Sequence, residues 1–160
     1  MGYEKLTYQV IQEQDGYELR LYDPYVLMKV RGDSSQGFGV LFNYISGNNS
    51  KHQKIQMTVP VVTDVSSSEF IAFTMPKSVQ ENYPEPMQSN VEIVKIPEKL
   101  YLAKHYKGSP RQAMKVYESL LNYAKDKHIQ VKGEPILLRY QGPFMPNLFK
   151  DNDVMVEIQK

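Results

Sequence analysis

Apolar and polar residues alternate with period two through Tyr17-Glu18-Leu19-Arg20-Leu21-Tyr22, so one face of that run is buried and it reads as a strand. The run at 8–13 precedes it across Asp15-Gly16, a good hairpin turn because glycine accepts positive φ without a Cβ clash. Past Asp23-Pro24, residues 25–30 read as a third strand. The period then changes. Phe38, Leu41, Phe42 and Ile45 fall at i, i+3, i+4 and i+7, which predicts one face of a helix. Asp33, Ser34 and Ser35 supply N-cap side chains, Gly37 and Gly39 weaken the first turn, and Gly47 ends the helix as a left-handed cap.

Extended character returns at 57–61, where Pro60 points to an edge strand, a bulge or a bend, and its partner follows at 69–75. Residues 77–89 are polar, contain Pro84 and Pro86, and read as a surface loop. The pattern then begins again. Strands at 91–96 and 100–106 flank Pro97-Glu98, and Ser109-Pro110 opens a second helix. Its buried stripe is Ala113, Val116, Tyr117, Leu120, Leu121 and Ala124, and basic residues at 125–128 suit its negative end. Strands at 136–140 and 154–158 complete the chain. Each half gives strands, one helix and two more strands, roughly βαββ twice. An α+β fold follows: one domain over 1–160, an antiparallel sheet carrying both helices.

Composition sharpens this picture mostly by exclusion. Nineteen Lys and Arg balance 18 Asp and Glu, so charge makes no case for nucleic acid or a charged membrane surface. Cysteine is absent, which excludes disulfides, thiol catalysis and thiolate metal or heme ligation. No run approaches the roughly 20 apolar residues of a membrane span, the first residues form no signal peptide, and a cytoplasmic monomer is the expectation. Met1-Gly2 does not open a myristoylation signal, because Leu6 occupies the Ser/Thr position. Twelve Tyr and 8 Met beside 6 Phe and no Trp suit half-buried sheet surfaces and adaptable pockets.

Residues 41–61, LFNYISGNNSKHQKIQMTVPV, resemble the core motif of the SOUL heme-binding family. Further matches lie in order along nearly the whole chain. Tyr17-Glu18-Leu19-Arg20-Leu21-Tyr22-Asp23-Pro24-Tyr25 resembles the family's opening segment, and Phe73-Thr74-Met75-Pro76 its "F-MP". Tyr83-Pro84-Glu85-Pro86 is similar to its "P-P" loop, and Tyr140-Gln141-Gly142-Pro143-Phe144 with Asn152-Asp153-Val154 to its ending. The resemblance implies a distorted, barrel-like antiparallel sheet with two helices, related to effector-binding domains of transcription regulators. It also implies noncovalent binding of heme or another tetrapyrrole, as buffer, carrier or sensor, with no catalytic residues. The alternative is an effector-binding module for another planar or amphipathic compound.

By resemblance, the cleft lies on the first helix and is closed by the loop before the last strand. Its contacts would be Phe38, Leu41, Phe42 and Ile45 on one side and Phe144, Met145, Leu148 and Phe149 on the other, with Lys54 and Met57. Core packing is the competing use of the helix residues. The basic positions that some animal members place near the propionates align with Ser35, Asn43 and Pro146, and the ending's paired arginines become Lys150 and Asp151. Lys51, Lys54, Arg139 and Lys150 are the candidate replacements. No histidine belongs to a metal-spaced pair, so no metal site is expected. His52 is the one weak candidate for an axial ligand, whereas His105 reads as a strand residue facing solvent. Glu134, Glu157 and Tyr140 are the residues an enzyme reading would have to use.

Overall fold

The computed structural model describes residues 3–141 and 146–159. Nine strands form a single antiparallel sheet: β1 (Tyr8–Gln14), β2 (Tyr17–Tyr22), β3 (Tyr25–Arg31), β4 (Val61–Asp64), β5 (Phe70–Thr74), β6 (Glu92–Ile96), β7 (Lys99–Lys107), β8 (Ile136–Arg139) and β9 (Asp151–Glu157). Two helices, α1 (Ser34–Ile45) and α2 (Ala113–Asp126), complete the fold. The strand order is β1-β2-β7-β9-β8-β4-β5-β3-β6.

That order contains the two expected repeats. Outward from the β8–β4 seam, one side runs β9, β7, β2 and the other β5, β3, β6. β3-α1-β4-β5 and β7-α2-β8-β9 are therefore equivalent units, and their leading strands are exchanged: β2 pairs with β7, and β6 with β3. The exchange bends the sheet. β2 and β3 are separated only by Asp23 and Pro24, yet they stand second and eighth in the order, so the sheet curls to bring its two ends together. Tyr25 of β3 meets Tyr101 of β7 hydroxyl to hydroxyl at 2.9 Å across the concave side.

Alternation along the strands divides the apolar residues into three cores. Tyr25 and Leu27 face the concave interior with Tyr22, Ala72, Tyr101, Leu138 and Met155. Val26, Met28 and Val30 face the other way and pack under α1 with Leu41, Tyr44 and Ile45. Leu102, Leu137, Val154 and Val156 pack under α2 with Ala113, Leu120 and Ala124. Burying both sheet faces is what lets 160 residues stabilise so long a sheet.

Local signals set the element ends. Asp33 caps α1, accepting from the Ser35 amide at 2.8 Å. Gly47 leaves the helix at φ 120°. Ser109 caps the turn of 3-10 helix that leads into α2, and Gln112 returns the bond to the Ser109 amide. The extended run at 57–61 becomes regular strand only from Val61, because Pro60 has no amide to give the ladder. Among the described residues, no helix is long and apolar enough to cross a membrane.

Candidate functional site

The helices leave a trough between them. α1 rests chiefly on β3 and β5, and α2 on β7 and β9, so β4 and β8 form a seam between the two helices. The width follows from elementary dimensions. Six strands from β7 to β3 span roughly 24 Å at about 4.8 Å per spacing, while two helices of about 10 Å cover roughly 20 Å.

An apolar cleft of about 510 Å³ opens at the α1 side of this seam. Phe38 from α1, Met57 and Val59 from the entering segment, Val61 of β4 and Ile71 of β5 supply its apolar surface. Tyr3, Tyr140 and Gln141 close one end, and Ser34, Ser35 and Arg139 line another. Register explains Arg139: it pairs directly with Val61 across the seam, on the face opposite Leu138. Among the described residues it has no acidic partner. Burial presses its guanidinium below its ordinary value, so the positive charge is poorly solvated.

A second hollow of about 560 Å³ continues from the cleft and shares Ser34 and Arg139 with it. Arg111, Lys150, Ser66, Ser67 and Ser109 also line it. Arg111 and Lys150, like Arg139, make no salt bridge among the described residues. The combined site is an apolar slot opening onto a cationic, hydroxyl-rich mouth.

The structure separates the residues that the helix periodicity grouped. Phe38 lines the cleft and meets Phe73 edge-on at 5.3 Å, while Phe42 stacks on Phe38 at 6.2 Å and stays half exposed outside the lining. Leu41 and Ile45 turn into the core under α1. Met57 lines the cleft. Lys54 is exposed and lies outside the lining. Leu148 and Phe149 sit in a turn of 3-10 helix, 73% and 56% exposed, also outside it. Phe144 and Met145 lie outside the described residues. His52 is exposed at φ 47° and does not line the cleft, and the described residues hold no cluster of three metal-ligating side chains.

Other motif residues are structural. Asn49 is fully buried; its amide donates to the Tyr44 and Gln53 carbonyls at 2.8 Å each and pins the loop after α1. The Thr58 hydroxyl donates to the Thr74 carbonyl. Sequence reasoning missed Tyr3, Ser34, Val59, Val61, Ile71 and Gln141, which meet only through the seam.

His105 is a strand residue with its side chain 47% exposed, as expected, and in addition both its ring nitrogens lie 3.0 Å from carboxylate oxygens, of Asp153 and Asp151. The enzyme candidates do not form a cluster. Glu157 pairs with Lys99 and Lys132, Tyr140 donates to Asp153, and Glu134 is exposed.

Residues 3–157 match the family model described as "SOUL heme-binding protein". The chain is 31% identical over 123 residues to human heme-binding protein 2, covering 68% of this chain and 60% of that relative. It therefore spans less than two thirds of the relative's length. Two solved structures share the fold at low identity. The EcmrR C-terminal domain matches with a TM-score of 0.64 and 12% identity over 96% of this chain and 98% of that one. A hydrolase from Listeria innocua matches with 0.61 and 10% over 93% and 94%.

Proposed function

The chain belongs to the SOUL heme-binding protein family, and from that premise we propose that it binds heme or another tetrapyrrole noncovalently in the cleft at the β4–β8 seam. One observation carries the reading: an apolar slot of about 510 Å³ ends at a partly buried arginine with no acidic partner among the described residues. That volume lies within the roughly 300–1,000 Å³ of small-molecule sites. A flat apolar ring between Phe38 on one side and Val59, Val61 and Ile71 on the other contributes roughly 25 cal/mol per Å² of apolar surface removed from water. Acidic side chains of the ring would then reach Arg139, with Arg111 and Lys150 beyond it. Such a charge-assisted pair offsets the desolvation that Arg139 already bears.

Iron, when the bound ring carries it, would supply a Lewis-acidic centre. Within this lining the thioether of Met57 is the soft donor, and His52 lies elsewhere. The grip we propose comes from the ring faces and the acid groups. The protein acts by binding alone, as buffer, carrier or sensor, with no chemistry performed on the ligand.

A second reading keeps the site and changes the ligand to another planar, acid-bearing compound, with the domain acting as an effector-binding module. The unpaired cations favour it equally, because they select for an acid and not for iron. Absorbance titration with hemin and with metal-free protoporphyrin separates these readings. A shifted Soret band with both pigments, lost in Phe38→Asp, is expected. Unchanged spectra with both at micromolar concentration contradict tetrapyrrole binding, and a thermal-shift screen of planar acids then tests the second reading.

A further inference from the structure

Behind the cleft, on the concave face, Tyr140 and Gln141, with Tyr3 and Val59, also wall a hollow of about 410 Å³ that holds a cluster of charged side chains. Its base is dictated by register. β7 and β9 place His105 opposite Asp153, and alternation brings Asp151 to the same face two residues earlier. His105 Nδ1 lies 3.0 Å from Asp153 Oδ1, and Nε2 lies 3.0 Å from Asp151 Oδ1. Ionised carboxylates only accept hydrogen bonds, so the ring satisfies both sides only when both nitrogens carry protons.

Each carboxylate in turn holds one residue of the cleft wall. The Tyr140 hydroxyl donates to Asp153 Oδ2 at 2.7 Å. The Gln141 amide donates to Asp151 Oδ2 at 3.0 Å, and the Asp151 backbone amide donates back to Gln141 Oε1. Two of the four residues that the cleft and the hollow share, Tyr140 and Gln141, therefore hang on the two carboxylates that His105 bridges.

We infer that His105 is a positioning residue for the cleft: its doubly protonated ring clamps Asp151 and Asp153, fixes Tyr140 and Gln141 in the wall, and so links ligand binding to a proton. This rests on the reading of the cleft as the ligand site. When the ring loses a proton, one nitrogen turns a lone pair toward a carboxylate at 3.0 Å and one clamp bond is lost. Other charges surround the ring. Arg20 of β2 holds Asp153 at 2.9 Å, with Glu18 on its other side and the Tyr8 ring of β1 against it. Lys107 holds Asp151 at 3.1 Å, and Lys5 lines the same hollow. The cations oppose the imidazolium and the carboxylates favour it. The carboxylates win: the bond to Asp153, working against burial, raises the His105 pKa above its ordinary 6.5.

Affinity is then highest while His105 is protonated and falls as pH rises through its titration. Coupling between sites is reciprocal, so bound ligand raises the His105 pKa by one unit for each tenfold of linkage, with roughly fivefold or more expected. The probe is diamagnetic zinc protoporphyrin, titrated between about pH 6 and 9 into the wild type and His105→Gln. The ratio of the two affinities cancels the pigment's own ionisation. In parallel, imidazole NMR shifts follow His105, His52 and His128 in the free and bound wild type.

The expected results are a wild-type affinity that falls at least several-fold against the variant, and a His105 pKa that rises on binding. A flat ratio with an unmoved His105 pKa, while the pigment still binds, overturns the linkage and leaves the cleft reading standing. No binding at any pH overturns both. If His105→Gln does not fold, the wild-type titration decides alone.

Discussion

Arg20 and Asp153, 133 residues apart in sequence, meet at 2.9 Å on the concave face of the sheet, each no more than 3% exposed. Arg20 also donates to the Tyr22 hydroxyl at 3.0 Å, and Asp153 accepts from Tyr140 and His105. A buried pair of this kind adds little against an apolar replacement but costs heavily when halved. Asp153→Leu or Arg20→Met alone should therefore destabilise the fold by about 3–5 kcal/mol in urea denaturation. The double variant should lose distinctly less than the sum of the two, because no orphaned charge remains. Additive losses would contradict a coupled pair.

Stability should fall on both sides of a plateau. Burial pushes the Asp153 carboxyl up, but bonds from His105 and Arg20 outweigh it and hold the group below the ordinary carboxylate value. Its contribution is present above the unfolded value of about 3.9 and is lost as pH falls through the folded one. His105 has the opposite sign. Its raised pKa gives stability that is complete below about 6.5 and lost as pH rises through the folded value. Denaturation midpoints measured across pH should show both limbs, and His105→Gln should flatten the alkaline one.

Two glycines two residues apart in α1 should respond oppositely to alanine. A Cβ at Gly37 would stand 2.4 Å from Ile71 Cγ2, inside the core under the helix. Gly37→Ala should cost about 1–3 kcal/mol by overpacking. Nothing lies within 4 Å of a Cβ at Gly39, so Gly39→Ala should stabilise by roughly 0.5–1 kcal/mol through helix propensity. Thermal melts of the two variants check both signs.

The α1 stripe is divided in the same way. Leu41 is fully buried, and Leu41→Ala should cost about 2–5 kcal/mol. Phe42 is 51% exposed, and Phe42→Ala should move stability by only about 0.5 kcal/mol in either direction. Similar losses from both would place Phe42 in the core.

Arg139 should carry charge selectivity. Arg139→Met should weaken protoporphyrin on the order of tenfold, as expected for a charge-assisted bond of about 1.5 kcal/mol, and should leave its dimethyl ester nearly unaffected. Equal losses for acid and ester would assign Arg139 to packing alone.

Periodicity made the repeat legible because each strand and helix writes its own apolar pattern. Tyr25 to Val30 alternate between two cores, and Leu41 and Ile45 mark the buried side of α1. What periodicity cannot show is which strands become neighbours. Val61 and Arg139 are 78 positions apart in the chain and touch only because β4 pairs with β8. Ile71 and Tyr140 reach the cleft by the same seam. The stripe itself gave four apolar residues one shared face, yet a helix packed on a curled sheet buries only part of that face. Phe38 and Phe42 fall on its open margin. The His105 clamp was hidden for a related reason: a lone histidine in a strand acquires two carboxylates only through register with β9.

The slot at the β4–β8 seam is the place proposed here for a flat pigment. Amide and methyl NMR shifts of isotope-labelled protein, recorded while zinc protoporphyrin is added, test it directly. The largest changes are expected at Phe38, Met57, Val61, Ile71 and Arg139, with Leu102 and Leu120 under α2 unmoved. Largest changes around Tyr17 and Tyr123, or uniform small changes with no saturating set, would contradict it.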